Sequence, residues 1–284
     1  MNTRSKKAFG ESGLTLVEMM VATSLLVVMM LGLTAMFNQT QRAFRSGLKQ
    51  VDVFEGGRAV MDLVGRDLEQ VADTHVLGIT NLFLQSVAGD VKQSVPVNLS
   101  RTNQLFDLFF MSSAPPNWTG IGYAISNAPS NGGKLGVGAL YRWERSTNAL
   151  LDSLDLNFAE RFTADVIDAT ARGTWTNFNR VADGVIHFKI RALNENAEEY
   201  FANTAADPVS FPFGVFTNSF PTLVPTNRTD GLPYIVEVEL GILEPQTLEQ
   251  ARSIPDANRD AYLEKQAGKV HIFRQQIPIR NAPR

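Results

Sequence analysis

The chain contains no cysteine in its 284 residues. Disulfide staples are therefore excluded, and an exported domain made from it must be held by core burial and helix packing. Histidine is scarce: His75, His187 and His271 lie far apart, and none has an H-E-x-x-H or comparable metal spacing. Basic residues form no block, and the formal net charge is −3, so the electrostatic footprint of a nucleic-acid binder is missing. No G-x-S-x-G elbow is present. Low-complexity tracts and clear internal repeats are absent too. Catalysis finds no polar constellation to carry it, so the chain is expected not to be an enzyme and to need no cofactor.

Charge is also missing from one long stretch. From Met19 to Phe37 there is no charged residue, and only Thr23, Ser24, Gly32 and Thr34 interrupt the apolar run. A membrane-spanning helix needs about 20 apolar residues, so the run is long enough to cross a bilayer. Glu18 immediately precedes it, within the apolar stretch that opens at Leu14. A carboxylate there is expensive in lipid and marks a functional position. Ahead of it lies a polar leader carrying Arg4, Lys6, Lys7 and Glu11. The positive-inside rule keeps that leader in the cytoplasm and exports the rest.

The helix is expected to continue beyond the run. Apolar residues recur at Phe37, Phe44, Leu48, Val51, Phe54, Met61, Val64, Leu68 and Val71, spacings that make an amphipathic stripe. Arg42, Arg45, Lys49, Asp52, Asp62, Arg66 and Glu69 occupy other faces. One helix over residues 14 to about 72 would be roughly 90 Å long. Gly56-Gly57 is its weak point, because each glycine costs about 1 kcal/mol against alanine in a helix. Either the helix kinks there, or a glycine allows close packing on a sheet.

Beyond His75 the pattern turns to short strand-like runs: Asn81–Val87, Gln104–Met111, Val137–Glu144, Val185–Leu193, Pro233–Leu243 and Val270–Ile279. In two of them polar and apolar residues alternate: Val185, His187, Lys189 and Arg191 oppose Ile186, Phe188 and Ile190, while Glu237 and Glu239 oppose Val236, Val238 and Leu240. The Pro-, Gly-, Asn- and Ser-rich stretches Ser112–Gly122, Ser126–Gly136 and Thr204–Gly231 read as loops. Glu244–Gln266 reads as a helical excursion broken at Pro255. A long N-terminal helix with mostly antiparallel strands gives an α+β fold, in which the helix stripe buries against a sheet. The organisation expected is a leader at 1–13, a transmembrane part of the helix at 14–37, its amphipathic continuation at 38–73 and a β-rich globular domain at 74–284.

Other chemistry has weak signals. Gly132-Gly133-Lys134-Leu135-Gly136-Val137-Gly138 lacks the Ser or Thr of a phosphate loop and opens a strand, so a hairpin turn is the better reading. Asp152 and Asp155 lack the spacing of an EF-hand calcium loop. Trp118, Trp143 and Trp175 offer aromatic surface but more often serve packing.

The segment Gly13-Leu14-Thr15-Leu16-Val17-Glu18-Met19 resembles the processing site of type IV prepilins and type II secretion pseudopilins. The match combines a basic leader, a glycine, apolar residues and a glutamate in one register. Leu14 departs from the phenylalanine most frequent in the family but keeps its apolar character. The resemblance implies cleavage by prepilin peptidase between Gly13 and Leu14, N-methylation of Leu14, and a role for Glu18 in filament assembly, facing the N-terminal amine of a neighbouring subunit. It implies a pilin-like fold, with other pilin or pseudopilin subunits and inner-membrane lipid as partners, while the negative charge and the missing basic stripe count against nucleic acid. The implied location is the bacterial inner membrane in a single pass, with the C-terminal domain periplasmic or in a surface filament. Shorter likenesses point to the minor pilin W and pseudopilin J group: Arg66-Asp67-Leu68-Glu69-Gln70, Val181-Ala182-Asp183-Gly184-Val185, Leu232-Pro233-Tyr234-Ile235-Val236-Glu237-Val238 and Ile279-Arg280-Asn281. An ordinary secretory signal fits less well, because the apolar core is long and no A-x-A site follows. A signal anchor has the same length but does not require the glycine and glutamate. Two other roles stay open on the same platform: an adhesive or DNA-uptake binding pilin, and a signal-anchored periplasmic protein.

Overall fold

A computed structural model describes residues 15–72, 81–95, 99–114, 117–126, 137–148, 158–199, 209–211 and 232–280. The apolar run and the amphipathic repeat after it form a single helix, α1, Leu16–Glu69, of 54 residues. It does not break at the glycine pair. A β-carbon on Gly57 would lie 2.2 Å from the Phe273 ring, whereas one on Gly56 would meet nothing. Close packing against a strand is therefore what Gly57 provides.

The chain divides into two compact units, residues 1–50 and 51–284. The described part of the first is helix throughout, from Leu16 onward, and its apolar side chains are exposed. The second is the α+β body. Its strands are β1 (Leu82–Val95), β2 (Leu99–Ala114), β3 (Asn117–Ile125), β4 (Gly138–Asn148), β5 (Phe178–Leu193), β6 (Val209–Phe211), β7 (Ile235–Leu243) and β8 (Val270–Pro278). They form one sheet in the order β6-β1-β2-β3-β4-β5-β7-β8, with antiparallel neighbours throughout. A single parallel bridge, Leu105 to Phe188, also joins β2 to β5.

One core lies between the sheet and the C-terminal part of α1. Val53, Val60, Met61, Val64, Leu68 and Val71 bury there with Leu108, Phe110, Tyr123, Phe188, Val238 and Leu240. The expected stripe thus divides. Met61, Val64, Leu68 and Val71 are core, but Phe37, Phe44, Leu48, Val51 and Phe54 stay exposed. Val53 and Val60 belong to the buried face instead, one helical position away from Phe54 and Met61.

A second core lies under a helix that sequence patterning does not single out, α2, Phe158–Arg172. Phe158, Phe162 and Ala169 recur at i, i+4 and i+11 and pack with Phe83, Phe109, Met111, Trp143 and Phe178. The helix comes close because β3 offers glycine beneath it: β-carbons on Gly120 and Gly122 would lie 2.7 Å from Phe158 and 2.3 Å from Phe162.

All six expected strands are found, most of them longer than expected. The stretch 112–122 is corrected: all of its described residues belong to the end of β2 or the start of β3, paired Ser112 to Thr119 and Ala114 to Asn117. Its glycines serve α2 packing rather than a loop. Within 204–231, Val209–Phe211 is the short edge strand β6, paired with β1. The excursion before the last strand is a pair of helices, α3 (Pro245–Ser253) and α4 (Asp256–Glu264), and Pro255 is the N-cap of α4. Gly184 takes φ +70° at the β5 irregularity, beneath Leu248 of α3, a backbone state that glycine adopts without a β-carbon penalty.

Candidate functional site: the N-terminal helix and its exposed face

Helix N-termini leave four backbone N–H groups without intrahelical partners. Here Thr15 and Glu18 form a reciprocal cap. The Thr15 backbone N–H and hydroxyl donate to Glu18 Oε2 at 2.9 and 3.0 Å, and the Glu18 N–H donates to Thr15 Oγ1 at 3.3 Å. This is the capping-box arrangement, and its T-x-x-E signature is legible in the sequence although only its glutamate was singled out. The carboxylate of Glu18 is thereby bonded within its own chain at the head of the apolar run.

The hydroxyls inside the run are also satisfied locally. Thr23 donates to Met19 O at 2.9 Å, Ser24 to Val21 O at 2.8 Å and Thr34 to Met30 O at 2.8 Å. The surface of the run therefore presents almost only hydrocarbon, from Leu16 and Val17 to Met36 and Phe37. Among the described residues α1 is the one helix long and apolar enough to cross a membrane, and it suits a single span or a signal segment. Gly13 and Leu14, the expected cleavage and methylation positions, lie outside the described residues.

The polar groups of the folded body serve its architecture. Asp67, 7% exposed on α1, accepts from Tyr123 Oη at 2.5 Å and from Arg142 Nε at 2.6 Å. Arg142 also bonds Glu144. Burial alone would pull the Arg142 guanidinium down, but its bonds to Asp67 and Glu144 outweigh this and hold it above its ordinary value. Burial, then the Asp67 carboxylate, push the Tyr123 hydroxyl up. The helix end is further tied by the Ala72 N–H to Met111 O at 2.9 Å.

Glu237, on the strand face opposite Val236 and Val238, is buried as well. Its residue is 1% exposed, held by Arg191, by Arg274 at 2.7 Å and by Gln276 at 2.8 Å. Cross-strand neighbours on β5 and β8 cover it, and their donors keep its carboxyl below the usual range despite burial. His187, 4% exposed, is a satisfied core histidine: Nδ1 accepts from the Gln104 N–H at 3.1 Å and Nε2 lies 3.3 Å from Glu239. Burial pushes its pKa down, against the pull of Glu239. His271 packs edge-on to Phe54, centroids 4.8 Å apart. Burial also pushes the Asp107 carboxyl up to about 7, opposed by a hydrogen bond from the Ile125 backbone.

Trp143 is core, its indole N–H donating to Asp165 at 2.8 Å, and Trp175 stacks on Tyr141. His75, Asp152, Asp155 and residues 132–136 lie outside the described residues. Among the described residues no three His, Asp or Glu side chains group as a metal site. Asp67, Tyr123 and Asp107 are polar positions that sequence reading missed; only their tertiary neighbours distinguish them from ordinary strand and helix residues.

A long apolar N-terminal helix whose continuation packs on an antiparallel sheet is a pilin-like architecture. Comparison with protein-family models, with curated proteins and with solved structures finds no match.

Proposed function

We propose that this chain is a minor pilin or pseudopilin subunit, cut by prepilin peptidase between Gly13 and Leu14, N-methylated at Leu14 and assembled into a type IV pilus or type II secretion pseudopilus. The observation that carries the reading is the bare apolar surface of α1 with a single carboxylate at its head. Fully burying one such Val, Leu or Met contributes roughly 1.5–3 kcal/mol, so more than a dozen of them together demand lipid or neighbouring helices. A lone carboxylate in that setting costs several kcal/mol unless it is paired. The Thr15 cap supplies neutral donors in the single chain, and the amine of a neighbouring subunit supplies a full charge in a filament. That difference favours one axial register on assembly. The role is structural rather than enzymatic, with the β-rich body periplasmic or on a surface filament. The short W-type and J-type likenesses favour a low-copy subunit at or near the tip.

The test is intact mass and N-terminal analysis of the protein from native membranes, beside a Gly13→Ala variant. The expected product begins at N-methylated Leu14, and the variant stays uncut. A wild-type chain that keeps its leader would sink the filament reading and leave a signal-anchored periplasmic protein.

A further inference from the structure

The part of α1 that follows the apolar run carries a second pattern, distinct from its apolar stripe. Between Phe37 and Val51 the charged residues are Arg42, Arg45 and Lys49, all positive, and the first acid, Asp52, comes only afterwards. At 3.6 residues per turn the three cations fall within about 60° of arc. Phe37, Phe44 and Leu48 fall within about 40° on another face, roughly 110° round the helix. All six side chains are exposed, and none of the three cations is in an ion pair among the described residues. Three aligned, unpaired cations on a helix repel one another, so the arrangement calls for an anionic surface.

Distance selects that surface. Arg42 and Arg45 lie about 8 and 12 Å along the axis beyond Phe37, where the hydrocarbon run ends, and Lys49 lies about 18 Å beyond. The headgroup layer on each side of a bilayer is about 5–7 Å thick. Helical side chains lean toward the N-terminus, here back toward the apolar run, and long basic stems extend their charge into the interface. Arg42 and Arg45 therefore reach lipid phosphates. Lys49 stops short but stays within about one Debye length, ~8–10 Å, of the surface. Phe44 and Leu48 turn apolar area toward the same boundary, as interfacial helices do.

We infer that Arg42, Arg45 and Lys49 form a binding face for anionic phospholipid headgroups on the C-terminal side of the membrane span, a contact that rests on reading residues 19–37 as that span. The face holds the subunit at a set depth and rotation in an anionic bilayer.

The test reconstitutes the full chain into vesicles of equal parts phosphatidylglycerol and phosphatidylcholine, then reads by native mass spectrometry the ratio of the two lipids retained on the protein. The wild type is expected to be enriched in phosphatidylglycerol. Arg42→Gln and Arg45→Gln should each lower the enrichment about fivefold, Lys49→Gln less, and the triple variant should abolish it. Glutamine keeps nearly the same helix propensity at these exposed positions, and unchanged tryptophan emission verifies the body. A chain that floats with the vesicles but shows no lipid preference, or loses none in the triple variant, overturns the inference. So does a triple variant that keeps its lipids but loses cross-links between copies, since the cations would then face protein. A chain that fails to float refutes the membrane reading itself, and the lipid contact with it.

Discussion

Two adjacent glycines in one helix should respond oppositely to the same substitution. In Gly56→Ala the new methyl meets no atom within 4 Å, so only the helix propensity changes. That should stabilise the folded body by up to about 1 kcal/mol. In Gly57→Ala the methyl would lie 2.2 Å from Phe273 Cε2 and Cζ and 2.8 Å from Cδ2. The Phe273 ring also packs edge-on to Phe54, centroids 6.1 Å apart, so shifting it disturbs that contact. Overpacking of this kind costs about 1–3 kcal/mol, against the same propensity gain. The net is a destabilisation of about 0–2 kcal/mol, which separates the two variants by about 1–3 kcal/mol. Urea unfolding of the full chain in detergent, followed by tryptophan emission, reads the difference as shifted midpoints at constant slope. Adding Phe273→Leu should narrow the gap, a coupling expected only of residues in contact. Equal upward shifts for both alanine variants would refute the packing account of Gly57.

Three further outcomes are expected. Asp67→Asn leaves the part-buried Arg142 with Glu144 alone and weakens the Tyr123 bond, so it should destabilise by about 3 kcal/mol by urea unfolding, while Tyr123→Phe costs about 1 kcal/mol. Asp107 has its folded pKa raised from 3.8 to about 7, so the folded state holds its proton more tightly. Its contribution to stability is therefore full at low pH and lost as pH rises through that window, and Asp107→Asn should flatten this part of the stability–pH curve and raise stability above pH 7. An unchanged curve would show that the carboxyl is ordinarily solvated. Finally, Arg4, Lys6 and Lys7 precede the apolar run and Arg42, Arg45 and Lys49 follow it. Replacing the leader trio with glutamine should therefore tip orientation and carry part of the protein inserted with its C-terminal domain inside, read by protease protection in spheroplasts. Wholly retained orientation would mean that charge balance does not set the topology.

The apolar run and its glutamate were legible because a charge-free run and one carboxylate are local features that need no partner. The six strands were legible where alternation reached several residues, as in Ile186, Phe188 and Ile190. The missed pieces share one cause. The start of β3 reads as a loop because Gly120 and Gly122 lie in it, and α2 buries Phe158, Ala159, Phe162 and Ala169 against that strand. Each explains the other, since the glycines make room for Phe158 and Phe162. The burial of Glu237 was not legible for a similar reason: alternation assigns a face but not what covers it, and Arg191, Arg274 and Gln276 come from two neighbouring strands.

Composition and local order alone therefore determined that the chain has an apolar helix of membrane length, a carboxylate at its head and an α+β body without disulfides. These follow from hydrophobicity, charge and helical period, which act over a turn or two. Only the tertiary structure decided that α1 stays continuous through Gly57, that Val53 and Val60 rather than Val51 and Phe54 join the core, and that Asp67 ties the helix to β3 and β4. Those outcomes depend on the volume and charge that distant strands bring to one face, and no single segment encodes them.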